Sequence, residues 1–315
     1  MRFESIRKSW ASRSSAAALL GCTAFGVSPG LATTPPVLTL AKPADQARFR
    51  VTTFATGLSF PSSLAQLADG SLLVGTSNGP SLWTTTSGSL LRLVDSNGDG
   101  IADGPPSVLA AGLPALVTSV RRVDDLVLAL SSASGHETLS LLRTGVSAAD
   151  PLTPAGSLSF SFPTGFEHNT YSLAARRSPS NPAALEVFFN IGSKYNDISS
   201  AETVGLQGDG SKVILPLVQM ASQSIQRLTL TPAGSGFTAT VQQIASGLRN
   251  AGGLIFSPSG DLYFEDNGID TPSNPDISLS ADELNRIAAA DLGVSVPSFG
   301  FPDTYISYEI GRAHV

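Results

Sequence analysis

Apolar positions along this chain come in short alternating runs, broken by Gly, Pro, Ser and Asn. Thirty glycines and 21 prolines interrupt them, and helical spacing is nearly absent. Runs of this length and period read as β-strands. The only helix-like piece is "ADELNRIAAADL", residues 281–292, which reads as a helix or as a loop with one turn. The stretch "GLRNAGGLIFSPSGDLYF", residues 247–264, shows the dominant pattern. Two apolar runs, 254–256 and 262–264, flank the turn cluster 257–260. That pattern is a β-hairpin.

The hairpin recurs. "FATGLSFPSSLAQLADGSLLV", residues 54–74, aligns without a gap to "IASGLRNAGGLIFSPSGDLYF", residues 244–264. Gly57 meets Gly247, Leu58 meets Leu248, Leu64 meets Leu254, Gly70 meets Gly260 and Leu72 meets Leu262. Degenerate copies lie at 110–130 and 171–192. A hairpin with a preceding turn, recurring roughly every 50–80 residues, is close to one four-stranded propeller blade. The expected fold is all-β, a β-propeller of which about four blades begin within the chain. A two-sheet sandwich is the alternative, and the long, regular period favours blades.

In a propeller, the loop entering each innermost strand faces the central channel at one rim, where polar groups line a shared pocket. Arg249 and Asn250 occupy such a loop, where the first repeat has Ser59 and Phe60. The hairpin therefore does not itself require an Arg-Asn pair. Arg249 either reaches the channel mouth or pairs with a carboxylate of a neighbouring blade. His168, five residues before Leu173, lies in the same kind of loop. An imidazole there is a natural general base, and a hydrogen-bonded loop histidine is the plainer reading. His136, in "SASGHET", reads as solvated.

Composition narrows the classes. The chain has 315 residues, 42% of them hydrophobic, which allows a sizeable core. Only 14% are charged, and the net charge is −6. With no basic patch, nucleic acid is excluded as a main partner. Residues 1–32 read as a signal peptide: Arg2, Arg7, Lys8 and Arg13 precede the apolar run 16–27, and small residues end at Ala32. "LLGC" ending at Cys22 also resembles a lipobox, and lipidation there would anchor the protein to a membrane. Cleavage at Ala32 is preferred. In both cases the protein is exported, periplasmic or secreted, and its single cysteine leaves no disulfide. Residues 33–48 are a Pro-rich linker, and 49–309 form the partial propeller. The tail "IGRAHV", 310–315, fits no blade pattern and reads as non-native sequence, which sets His314 aside.

Two acidic stretches could bind metal. In "DSNGDGIAD", Asp95, Asn97, Asp99 and Asp103 present oxygens at calcium-loop spacing, and Gly100 allows the sharp turn. An Asx-rich turn is the alternative. Residues 265–287 hold Glu265, Asp266, Asp270, Asp276, Asp282 and Glu283, either a solvated acidic loop or one or two calcium sites.

Taken together, "GLRNAGGLIFSPSGDLYFEDNGID…ADELNRI…FGFP", the His168–Leu173 spacing and "RLVDSNGDGIADG" resemble the soluble quinoprotein glucose/sorbosone dehydrogenase family. Those are exported six-bladed β-propellers that use pyrroloquinoline quinone (PQQ) and calcium. The resemblance covers roughly residues 50–309 and implies a propeller that is incomplete in this chain. It implies that Arg249 lies against the quinone and that Asn250 hydrogen-bonds it. The carbonyls of Gly268 and Ile269 would hold a catalytic calcium, and Asp282 and Glu283 would belong to a structural one. His168 would take the proton from a sugar hydroxyl. The implied activity is oxidation of an aldose- or sorbosone-type hydroxyl or aldehyde, with electrons passing to an external acceptor. The chain departs from the family pattern at Ala251 and Ile269, where prolines are usual. It also departs in the insertion "TPSNPDISLS" and at Ser193-Lys194, where the glucose enzymes carry an Asp. A non-catalytic propeller that binds or scaffolds is the alternative reading.

Overall fold

The structure, a computed structural model, describes residues 49, 51–133, 136–200, 202–269 and 280–304, without the side chain of Trp83. The expected signal peptide, linker and tail lie outside the described residues, as do Asp270 and Asp276.

The described chain is built from strands and turns plus one 3-10 turn at Leu82–Thr84. The first four strands are β1 (Ser63–Gln66), β2 (Leu72–Asn78), β3 (Ser87–Leu93) and β4 (Ser107–Pro114). Next come β5 (Leu116–Val123), β6 (Leu126–Ala133), β7 (His136–Arg143) and β8 (Thr153–Ser161). Then follow β9 (Leu173–Arg177), β10 (Leu185–Ile191), β11 (Thr203–Gly208), β12 (Val213–Ile214) and β13 (Val218–Ala221). The last are β14 (Ser224–Ala233), β15 (Gly236–Ser246), β16 (Ala251–Phe256), β17 (Leu262–Asp266) and β18 (Glu283–Ile287).

They form four antiparallel blades. Blade 1 is β1-β2-β3-β4 and blade 4 is β16-β17-β18. Blade 2 is β5-β6-β7-β8, widened by β11 and β13. Blade 3 is β9-β10-β14-β15, widened by β12, which runs parallel to β15. Each blade starts with a hairpin seen in the sequence repeat, and the turns of the first and last match closely. Gly70 and Gly260 adopt φ of 87° and 89°, a region open to glycine at no steric cost. The preceding amide contacts also repeat, with Gly70 N–H donating to Leu67 and Gly260 N–H to Ser257.

The core is divided among the faces between blades. Period-two alternation lets one strand serve two neighbours. On β6, Leu126, Leu128 and Leu130 pack toward blade 3 with Val187 and Phe189, while Val127 and Ala129 pack toward blade 1 with Leu73 and Leu90. On β10, Phe188 faces the other way and joins Leu254, Leu262 and Phe264 of blade 4. Each fully buried Leu or Phe contributes about 1.5–3 kcal/mol of transfer free energy. The helix-like stretch at 281–292 is a correction: residues 283–287 form β18, pairing Ile287 with Leu262 and Glu283 with Asp266. Burial alternates along it, with Leu284 and Arg286 exposed and Ile287 buried, and the edge of β17 supplies hydrogen bonds that a lone helical turn lacks.

Inner strands of adjacent blades are stitched by serines. Ser63 Oγ accepts from Val120 N–H at 2.8 Å, and Ser172 Oγ accepts from Leu254 N–H at 3.2 Å. These contacts tie the starts of β1 and β9 to the middles of β5 and β16, and the loops entering the inner strands share one rim.

Candidate functional site at the entry-loop rim

Three entry-loop residues singled out in the sequence come to this rim. The loops carrying His168 and Arg249 are joined through Gly192 and Ser193. Gly192 N–H donates to His168 O at 3.0 Å, and Ser193 N–H donates to Arg249 O at 2.7 Å. A Cβ at Gly192 would lie 2.5 Å from His168 O and 2.9 Å from Arg249 O, so only glycine lets the two loops close.

His168 Nδ1 sits 3.0 Å from both the carbonyl and the hydroxyl of Ser193. A carbonyl only accepts, so Nδ1 carries the proton and the Nε2 lone pair is the basic one. Ser193 thus orients the imidazole.

Arg249 is buried, and its guanidinium does not line the cavity. Its Nε donates to Asn196 O at 2.8 Å, its Nη1 donates to Asn267 O at 3.2 Å, and Nη2 donates to Asn196 Oδ1. The backbone of Arg249 and Asn250 is gripped by Asp266, which ends β17. Arg249 N–H donates to Oδ2 at 3.0 Å and Asn250 N–H to Oδ1 at 2.7 Å. Burial pushes the Asp266 carboxyl up to about 6, against the two amide bonds and with Glu283 adding to the rise. Tyr171 donates to Asn250 O at 3.5 Å, and its phenol is raised by burial and then by the Asp266 charge.

A cavity of about 560 Å³ opens here, lined by His168, Asn169, Thr170, Tyr171, Asn250 and Asn267, with Thr118 and Ser132 of blade 2 and Ser62 of blade 1. Every blade contributes, which places the cavity at one end of the axis. Three of these lining residues carry a side-chain oxygen that is itself buried and unsatisfied. Asn169 Oδ1, Thr170 Oγ1 and Asn250 Oδ1 are buried with no hydrogen-bond partner. Glu137 stands directly behind, with 0% exposure. Its Oε1 accepts from Asn169 Nδ2 at 2.6 Å and from Ser132 Oγ at 3.1 Å, and its Oε2 has no partner. Burial raises the Glu137 carboxyl, with those two hydrogen bonds pulling the other way. Native interiors carry few such groups, and a cluster of them marks a place where a ligand or water completes the set.

Glu137 and Asn169 do not stand out in the sequence as site residues, while Asp266 stands there only as one acid of a possible calcium stretch and Ser193 only as a departure from the family pattern. The only signal for Glu137 is that it is a carboxylate directly after "SASGH"; it lies on β7, the third strand of blade 2. His136 is exposed.

The expected metal ligands are placed as follows. In the loop after β3, Asp95 accepts from the amides of Gly98, Asp99 and Gly100, while Asp99 Oδ1 accepts from Ile101 N–H. Asn97 Nδ2 donates to Asp99 Oδ2 at 3.1 Å, and Asp103 Oδ2 accepts from Ser96 N–H at 2.8 Å. Their side chains thus cap the loop's own backbone. Near the rim, Gly268 N–H donates to Asp282 Oδ1 and Ile269 O accepts from Ser280 N–H. Glu283 Oε2 accepts from Asn285 at 3.5 Å. Among the described residues, no three His, Cys, Asp or Glu side chains gather as a metal would need.

The fold has counterparts among solved structures. The holo form of the pyranose dehydrogenase PQQ domain from Coprinopsis cinerea is similar with a TM-score of 0.52 at 15% identity, over 81% of this chain and 57% of that one. The PQQ-bound aldose sugar dehydrogenase from Streptomyces coelicolor is similar with a TM-score of 0.47 at 18% identity, over 81% of this chain and 66% of that one. The chain therefore shares the β-propeller fold of a PQQ-dependent sugar dehydrogenase domain and spans 57% of its length. No protein-family profile matches the sequence, and no curated protein matches it.

Proposed function

We propose that this chain carries the substrate end of an exported quinoprotein sugar dehydrogenase. The observation that carries the reading is the cavity beside His168, three of whose lining residues, Asn169, Thr170 and Asn250, each hold a buried side-chain oxygen with no hydrogen-bond partner. A sugar is rich in hydroxyl donors, and each buried acceptor left unmet costs about 1–3 kcal/mol. These unmet oxygens favour a polyhydroxylated ligand, whose apolar ring face can lie against Leu82, Leu116 and Val117 of the same lining.

The residues also fit a quinone. Asn250, at the position the family resemblance gives to a cofactor contact, lines the cavity and holds a buried side-chain oxygen without a partner. Arg249 sets a permanent positive charge one layer behind it, suited to a tricarboxylate. When bound, PQQ supplies the two-electron oxidant that no side chain provides. His168 takes the hydroxyl proton at Nε2, and Ser193 keeps the ring in the productive tautomer. Glu137 fixes the Asn169 amide with its nitrogen inward, which turns Oδ1 toward a substrate hydroxyl. No step is assigned to calcium. Its proposed place is the Asp95–Asp103 loop, in a structural role.

The test is reconstitution of the full chain with PQQ and calcium, followed by dye-linked oxidation of a panel of aldoses. Replacing His168 with Gln should lower turnover by about 10²-fold or more while sugar binding persists. Turnover unchanged in H168Q would remove His168 from the chemistry. A second reading, a sugar-binding propeller without catalysis, draws on Arg249 lying behind the wall rather than in the cavity. It predicts calorimetric sugar binding with no turnover in any reconstituted sample.

A further inference from the structure

The axis has another end. Where the inner strands finish, a cavity of about 510 Å³ is lined by residues of β1, β5, β9 and β16, again one strand from each blade. Its lining holds two arginines, Arg121 and Arg122, and no carboxylate. They are consecutive on β5, so their side chains leave opposite faces of the strand. β5 ends its sheet, and both arginines line the cavity.

Neither arginine is well satisfied. Arg122 Nη1 reaches Gln66 O only at 3.5 Å, and its Nε is buried with no hydrogen-bond partner. Arg121 Nη1 turns back on the carbonyl of its own neighbour, Val120, at 2.9 Å. Among the described residues neither makes an ion pair, whereas Arg143, Arg176 and Arg177 each hold a carboxylate. Burial also draws the Arg121 pKa down, the mark of a cation removed from water. A desolvated cation without a counter-ion is costly, and an anion that joins it relieves the cost. Apart from Gln66 and Gly253 the remaining lining is apolar, and Leu64 and Ile255 within it are 59% and 62% exposed.

We propose that this end of the axis is a binding site for an organic carboxylate, its head group between Arg121 and Arg122 and its apolar body against Leu64, Ile255 and Phe256. The guanidinium fork matches a carboxylate, and the exposed apolar rim favours a ligand that carries more than charge. The site does not depend on the sugar dehydrogenase reading, since it shares no residue with the His168 rim.

Isothermal titration calorimetry of the full chain with benzoate, benzamide and inorganic phosphate tests it. Benzoate should bind saturably at one site, tightest of the three at low salt. R121Q and R122Q should each weaken it roughly tenfold or more, the size of a lost charged hydrogen bond. R143Q, which removes an exposed ion-paired arginine elsewhere, should leave it unchanged. Benzamide binding as tightly as benzoate would overturn the site, and that comparison needs no variant to fold. Phosphate binding as tightly as benzoate would overturn the role of the apolar wall. Unchanged benzoate affinity in folded R121Q and R122Q would overturn the role of the arginines.

Discussion

Blades 3 and 4 hold the start of their inner strands by the same device with different chemistry. In blade 3, a single oxygen of Asn190 accepts the amides of Tyr171 and Ser172, at 3.2 and 3.1 Å. In blade 4, Asp266 gives each amide its own oxygen, at 3.0 Å for Arg249 and 2.7 Å for Asn250. Both acceptors stand near the end of the second strand of their blade, and both are buried. The fold needs two acceptors at this corner. A neutral amide is enough where the loop beyond carries Asn169 and Thr170. A charge is used where Arg249 and Asn250 must be held, and its burial lifts the carboxyl to about 6.

Removing the clamps should separate the two blades most sharply. Asp266→Ala strands two buried amides and should lower unfolding free energy by about 3–5 kcal/mol, read from urea denaturation. Asn190→Ala, which strands two amides bonded only to a neutral group, should cost about 2 kcal/mol. A larger loss for Asn190 than for Asp266 would break the comparison. Next comes the joint between the blades: Gly192→Ala should cost about 1–3 kcal/mol, because the new methyl meets backbone oxygen on both sides. A neutral G192A would show that the His168 and Arg249 loops move apart freely.

Asp209 sharpens the same lesson, because it too accepts backbone amides but stands in the open. Slight burial would raise its carboxyl, yet the amides of Val213, Lys212, Ser211 and Ser157 prevail and hold it at about 2. A folded pKa below the unfolded one stabilises the protein above the usual carboxylate range. That stability is lost as pH falls from about 4 toward about 2. Asp209→Asn should therefore flatten the acid side of the stability profile and leave a modest loss at neutral pH. An unchanged acid limb would remove Asp209 from acid unfolding. The smallest effect belongs to the loop after β3. Calcium should raise the melting point of the parent by an amount equal to about 1 kcal/mol at moderate saturation, and not that of Asp99→Ala. Equal shifts in the two proteins would leave the loop as a turn alone.

The fold was legible where the signal is local. Gly70 and Gly260 sit in turns that only glycine enters easily, and the apolar runs on either side pair as the repeat implies. Placing His168 and Asn250 at one rim followed from that repeat, since an entry loop has one address in a blade. Glu137 was not legible, because nothing near it in sequence foretells that Asn169, 32 residues on, will bury it. Asp266 looked like one more acid in an acidic stretch, and only the end of β17 makes it a clamp. Residues 283–287 looked helical because Leu284 and Ile287 are three apart, a spacing that the free edge of β17 overrides. The exchange of strands between blades 2 and 3, with β11 and β13 on one sheet and β12 on the other, depends on contacts far apart in the chain.

The two-sided strands β6 and β10 have a consequence for how such a molecule diverges over generations. Odd and even residues of β6 answer to different neighbours, Val127 and Ala129 to blade 1 and Leu126, Leu128 and Leu130 to blade 3. A drift in one set leaves the other interface undisturbed. Each joint between blades is then free to accumulate its own compensating changes. Copies of one ancestral hairpin can in this way lose their likeness at different speeds, as the close pair at 54–74 and 244–264 and the worn pair between them have done.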